Sequence, residues 1–266
     1  MSSAFERKSG IARHTRRMDV ARREREFVRV AGSDAADYLQ RMVSNDVEAL
    51  APGEACPALL LTAKARVIAP LVVLRRADDD FLLLTEPGLG EAVHAQLTRM
   101  RLRAQCEVEP EEHASALVFG GGEGFATDWP GAREALDAGL EPTLSEDELE
   151  LRRIEGGVPR WEREIDDRIL PAEAGLDATH VSFSKGCYPG QEPVARLHFR
   201  GHPNRGLRVL ELDELPERDA PLLHEGREVG RVTSAARRAD GTVVALAYVR
   251  TGVPDDAPLA LAARAG

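Results

Sequence analysis

Two stretches with helical spacing of apolar residues are each enclosed by strand-like runs, and this alternation narrows the folds open to the chain. Ala36, Leu39, Met42 and Val43 share one helix face. Ser33 stands before it as an N-cap, with Asp34 and Asp37 in the first turn, and Ser44-Asn45-Asp46 ends it. Leu89, Val93, Leu97 and Met100 form a second such face. Strand-like runs lie at residues 26–31, 56–62, 66–74, 81–85, 102–108 and 116–119. The short link 63–65 predicts a hairpin, and Pro70 predicts an edge or a bulge in its second strand. This order predicts an α+β unit with helices on an antiparallel sheet.

Further on, Ser145 and Glu148 fit a capping box for a helix through about Ile154. Residues 158–182 read as irregular, punctuated by Pro159, Pro171 and Gly175. After Gly201 short strand-like runs at 207–212, 228–234 and 242–249 alternate with Pro, Gly and Asp turns, which predicts a small all-β module of barrel type. The expected organisation is a basic segment over 1–25, an α+β core over 26–200 and a β-barrel module over 201–266. The glycine-rich run 120–124 lacks the Gly-Lys-Ser/Thr ending of a phosphate loop and reads as a hairpin or linker.

Charge and cysteine usage exclude several classes. The 266 residues carry a net charge of -10, against a general nucleic-acid or anionic-membrane binder. Residues 1–25 run the other way, with Arg7, Lys8, Arg13, Arg16, Arg17, Arg22, Arg23 and Arg25 against Glu6, Asp19 and Glu24. They read as a mobile basic tail or a first helix. Cys56, Cys106 and Cys187 are widely spaced, with no metal-ligand pattern, so a reducing compartment and no metal site are expected. No run is long enough to span a membrane, and the start lacks a secretory apolar core. A cytoplasmic protein is expected, with an organellar matrix as the alternative suggested by the Arg-rich start.

The segment Lys185-Gly186-Cys187-Tyr188-Pro189-Gly190-Gln191-Glu192 packs a cation, a thiol, an amide and a carboxylate around two glycines. It takes one of only three lysines and one of three cysteines. A nearby positive charge favours thiolate, and the glycines let backbone turn tightly and approach a ligand. Gln191 and Glu192 suit a polar heterocycle. Cys56 and Cys106 sit in apolar runs and read as core.

The longer run from Phe183 to Arg196 closely resembles the signature of the YgfZ-type folate-binding family, relatives of the glycine cleavage T-protein, an aminomethyltransferase. Weaker likenesses fall in the same order: residues 30–47 with Ser44-Asn45-Asp46-Val47, Leu59-Leu60-Leu61-Thr62-Ala63-Lys64, Arg153-Ile154-Glu155-Gly156-Gly157-Val158-Pro159, and 226–234. The resemblance spans about residues 26 to 250. It implies a ring of three subdomains, two interleaved α+β units and a β-barrel, around a hole that receives tetrahydrofolate or a one-carbon derivative. It also implies support of iron–sulfur cluster assembly or repair, chiefly for 4Fe–4S proteins, with effects reaching tRNA modification through cluster-dependent enzymes. On that reading the partners are reduced folate and iron–sulfur client or assembly proteins, and the protein is a monomer.

The resemblance assigns Cys187 to the chemistry and Glu155 to the pterin edge, with a helix-end ion pair to Arg152 or Arg153 as the alternative for Glu155. Gln191 and Glu192 are further ligand contacts. Lys185, Arg196 and Arg205 are candidates for the anionic glutamyl tail. Asn45 and Asp46 are candidates for the pocket floor, with turn formation as the alternative. His198 and His202 are either bases or ordinary surface residues.

Two departures bear on activity. Ala65 replaces the glycine usual in the hairpin, which suggests a less tight turn. Ala69-Pro70 stand where the T-protein carries its catalytic aspartate, and neither can act as an acid or base. Three functions therefore stay open: a folate-dependent accessory factor for iron–sulfur proteins, a folate-dependent one-carbon transferase, and a non-catalytic folate-binding regulator.

Overall fold

The computed structural model describes residues 18–262. The chain runs through β1 (Asp19–Arg23), β2 (Glu26–Ala31), α1 (Ala35–Met42), β3 (Ala55–Leu61), β4 (Val67–Ala77) and β5 (Asp80–Thr85). It continues through α2 (Gly90–Met100), β6 (Glu107–Glu111), β7 (Ser115–Phe119), β8 (Phe125–Ala126), β9 (Ala132–Leu136) and α3 (Glu146–Glu155). After two single-turn helices come α4 (Gln191–Arg200), β10 (Arg205–Leu212), β11 (Pro221–His224), β12 (Arg227–Arg237), β13 (Val243–Arg250) and β14 (Ala260–Leu261).

Three antiparallel sheets organise these elements. One has the order β3-β4-β5-β2-β6, a second β1-β7-β9-β8, and the third β10-β13-β12-β11-β14. The first two are interleaved, because the chain starts in the second sheet, makes the first, and returns.

The first sheet explains its own sequence. Leu82, Leu83 and Leu84 are all fully buried, although neighbouring strand residues point to opposite faces. Leu83 packs with Leu39, Val93 and Leu97 under α1 and α2, whereas Leu82 and Leu84 pack with Phe27 and Phe125 on the other face. A strand covered on both sides reads as a continuous apolar run. Leu59 and Leu61 face a further core with Ile165, Ile169, Tyr188 and Tyr248, which fixes the irregular 158–190 segment and the third sheet to this one.

Several expectations need correction. Residues 19–23 form a paired strand, β1 against β7, so the basic segment does not extend to 25; residues 1–17 lie outside the described residues. Arg23 and Arg25 are not solvated charges. Arg25 donates to Glu134 at 3.0 Å and to Asp128 at 3.0 Å, and Arg23 reaches Asp128 at 2.7 Å. The carboxylates come from another sheet region, a pairing invisible to local charge counting.

Asp34, not Ser33, is the N-cap of α1. Leu102 sits in a turn with φ 51° and is exposed, so the strand there begins only at Glu107. β5 pairs no further than Leu71, so β4 has a free edge on that side at Pro70, where the Thr85 hydroxyl donates to the Pro70 carbonyl at 2.9 Å. The helix α4 was not anticipated. The Ser145–Glu148 capping box forms as read.

Candidate functional site

The Cys187 loop is built by anchoring its neighbours and leaving the thiol outside. Cys187 is exposed, while Lys185 and Tyr188 on either side are buried. The Lys185 ammonium donates to the carbonyls of Gln40 at 2.5 Å, Val43 at 2.7 Å and Asn45 at 2.9 Å. Those carbonyls belong to the end of α1 and the turn after it, where a helix leaves acceptors unsatisfied and its dipole favours a cation. The same ammonium lies 5.4 Å from the centre of the Tyr188 ring. Burial pulls Lys185 down to about 8 and pushes the Tyr188 hydroxyl up to about 12.

The Ser44-Asn45 turn is stitched into the same unit. Ser44 is fully buried; its hydroxyl donates to the His180 carbonyl at 2.6 Å and accepts from the Leu59 amide at 2.8 Å. Its carbonyl accepts from the Ser182 amide at 3.0 Å. Asn45 donates to the carbonyls of Pro57 and Thr179. Two segments about 140 residues apart in sequence are thus one structural piece.

Gly190 completes the hold. It lies at φ 83°, and a Cβ there would stand 2.6 Å from the Thr62 carbonyl oxygen and 3.0 Å from Ala65 Cα. Only glycine lets α4 start this close to the β3–β4 hairpin. In that hairpin Ala65 takes φ 59°, and its amide donates to the Thr62 carbonyl at 2.9 Å. The left-handed conformation that favours glycine is thus imposed on alanine.

Between loop, hairpin and α4 lies an open cavity of about 470 Å³, lined by Cys187, Gln191, Glu192, Arg196, Tyr188 and Ala63 among others. It brings together four of the residues singled out from sequence. The other three have different partners. Lys185 and Asn45 are consumed as anchors. Glu155 is exposed at the end of α3 and accepts from Arg238 Nε at 2.6 Å. The ion-pair alternative therefore describes Glu155, but its partner is neither Arg152 nor Arg153. Arg152 pairs with Asp19 at 2.6 Å, and Arg153 is buried against Glu150 and Glu164.

Three further candidates have partners of their own. His198 stacks on Phe183 at 3.9 Å, 3.4 Å from Asp177. Arg205 pairs with Glu173 and lies over the Tyr248 ring. Asp46 accepts from Gln40 at 2.9 Å. Burial pushes Cys56 up to about 12 and also raises Cys106, whereas Cys187 is the exposed thiol of the three. Ala69 is fully buried, and the adjoining Pro70 carbonyl accepts from the Thr85 hydroxyl.

A larger cleft, about 840 Å³, lies elsewhere, between β1, α3 and residues 158–163. Trp129 and Trp161, the chain's two tryptophans, both line it, with Arg22, Glu150 and Arg163. Sequence reading did not mark this cleft, because its walls come from six separate segments between residues 21 and 163.

Comparison with known proteins bears on this geometry. The GCVT N-terminal domain family matches residues 17–122. The tRNA-modifying protein YgfZ of Edwardsiella ictaluri is 28% identical, over 87% of this chain and 84% of that protein. Its namesake from Serratia proteamaculans is 26% identical, over 82% and 79%. The chain is thus similar, over most of its length, to YgfZ-type proteins. An uncharacterised Haemophilus influenzae protein is 25% identical, over 82% of this chain and 80% of the relative. The fold agrees: the crystal structure of the glycine cleavage system aminomethyltransferase T from Bartonella henselae superposes with a TM-score of 0.77 over 94% of this chain and 83% of that one, at 19% identity. Among the described residues no helix is long and apolar enough to cross a membrane.

Proposed function

We propose that this chain is a reduced-folate-binding accessory protein for the assembly or repair of iron–sulfur proteins, acting through the Cys187 thiol in the cytoplasm. The observation that carries the proposal is the exposed thiol between two buried anchors, on the wall of a cavity that also holds an amide, a carboxylate and a guanidinium. A chain that fixes a thiol's neighbours so firmly and leaves the thiol itself open is built to present it.

The cavity suits a folate in size and in donor set. About 470 Å³ is within the range of small-molecule sites. The Glu192 carboxylate and Gln191 amide can meet the 2-amino-pyrimidine edge of a pterin, and Arg196 can pair with a glutamyl carboxylate. Bound there, a reduced folate supplies one-carbon chemistry beside the thiol. Cys187 then serves as the nucleophile or exchange partner toward a client protein. Aminomethyl transfer of the T-protein kind is disfavoured by Ala69 and Pro70. Clients are proteins rather than RNA, in keeping with a net charge of -10; an effect on tRNA follows through modifying enzymes that need a cluster.

Calorimetric titration with 5-formyl-tetrahydrofolate tests the folate half of this reading. Binding should weaken at least tenfold in Arg196→Glu and stay within twofold in Trp161→Phe. The reverse pattern would move the folate to the larger cleft and remove the contacts assigned here.

A further inference from the structure

Only three of the chain's 35 basic side chains are lysine, and one of them is held where three acceptors converge. Arginine presents planar, forked donors suited to carboxylates; an ammonium presents three donors around a point, which suits three separate carbonyls. The chemistry of the acceptors accounts for lysine at this position in a chain that otherwise uses arginine almost throughout.

The place of this ammonium matters more than its charge. On one side it holds the end of α1 and the Ser44-Asn45 turn. On the other it faces the ring of Tyr188, which is packed among Leu59, Leu61 and Val67. Gly186 and Cys187 are the two exposed residues between those holds. The carboxylates that act on Lys185 are those of Asp46 and Glu48, both in the segment just after α1. With its donors spent on carbonyls, Lys185 is poorly placed to grip a ligand's carboxylate.

We infer that Lys185 is a positioning residue for Cys187: its ammonium fixes the loop to the end of α1 and so sets where the thiol stands against the cavity wall. The importance of that position rests on the functional reading of Cys187 given above, but the hold itself can be measured without it.

The test is peptide-resolved labelling of the native full-length chain by a bulky maleimide, comparing wild type with Lys185→Arg and Lys185→Met. Lys185→Arg keeps the charge and most of the stem, so it guards against a variant that fails to fold. The other two cysteines serve as internal controls, because Cys106 is buried and Cys56 is half-buried with its thiol pushed up to about 12. Released from its anchor, Cys187 should label at least threefold faster in both variants, with Cys56 and Cys106 unchanged. An unchanged Cys187 rate, or all three rising together through general loosening, would overturn the inference. Neither outcome depends on an iron–sulfur role, so failure here and failure of the proposed function are separable.

Discussion

Arg153 donates to Glu164 at 2.9 Å in the interior, where α3 meets the third sheet. Glu164 also accepts from Ser234 of β12 at 2.7 Å, and Arg153 reaches Ser234 as well, also at 2.7 Å. The arginine of the Arg-Ile-Glu segment is therefore a fastener between subdomains. Removing one partner of such a pair strands the other charge in the interior. Arg153→Met should cost about 3–5 kcal/mol by denaturant unfolding. The double variant with Glu164→Gln should cost less than Arg153→Met alone, since no buried charge is left uncompensated.

Gly190→Ala should destabilise by about 2 kcal/mol or more, combining left-handed strain with displacement of the β3–β4 hairpin. A Cβ would meet the Thr62 carbonyl at 2.6 Å, and that contact is with backbone, which cannot rotate away. Gly186→Ala is the control, because nothing lies within 4 Å of a Cβ there. Urea unfolding of both variants checks the difference.

Acid should act on this protein in two steps. Burial lowers His180 to about 4, so it is neutral in the folded chain where the unfolded chain takes a proton near 6.5. The folded state then binds fewer protons, and stability falls as pH drops from about 6.5 and levels off below about 4. The shift corresponds to about 3 kcal/mol. For Glu134 burial works to raise it, but Arg25 and Arg23 outweigh burial and bring it down to about 2. Its contribution is present above about 4.5 and is lost as pH falls toward 2. His180→Gln should remove the first step and leave the second, read from unfolding free energies between pH 7 and 3.

Glu155→Gln should change stability by no more than about 1 kcal/mol, as expected of an ion pair exposed to solvent. On the site proposed here it should also leave 5-formyl-tetrahydrofolate affinity within twofold. A tenfold loss would put the pterin at the end of α3 rather than beside Cys187.

Much of this fold was legible where a residue's neighbours in sequence are its neighbours in space. The 3.6-residue spacing of Leu89, Val93 and Leu97 and the Ser145–Glu148 box depend on one turn of chain and formed as read, whereas Met100, read as part of the same apolar face, is exposed at the helix end. α4 was missed because it opens on Gln-Glu-Pro directly after a turn and buries only Val194, so its periodic signal is weak. The site divides in the same way. The grouping of Cys187, Gln191, Glu192 and Arg196 follows from one loop leading into one helix. The tasks of Lys185, Asn45 and Ser44 depend on contacts between segments about 140 residues apart, which no local pattern encodes. Arg23 and Arg25 were misread for the same reason, their carboxylates being more than a hundred residues away.

The central claim is that the exposed thiol of Cys187 performs the function and is not needed for folding. It is tested most directly by expressing wild type and Cys187→Ser at matched levels in cells lacking their own family member, and measuring the activity of a 4Fe–4S enzyme. Wild type should restore that activity; Cys187→Ser should fold with an unchanged melting temperature and fail to restore it. Full restoration by Cys187→Ser would contradict the claim.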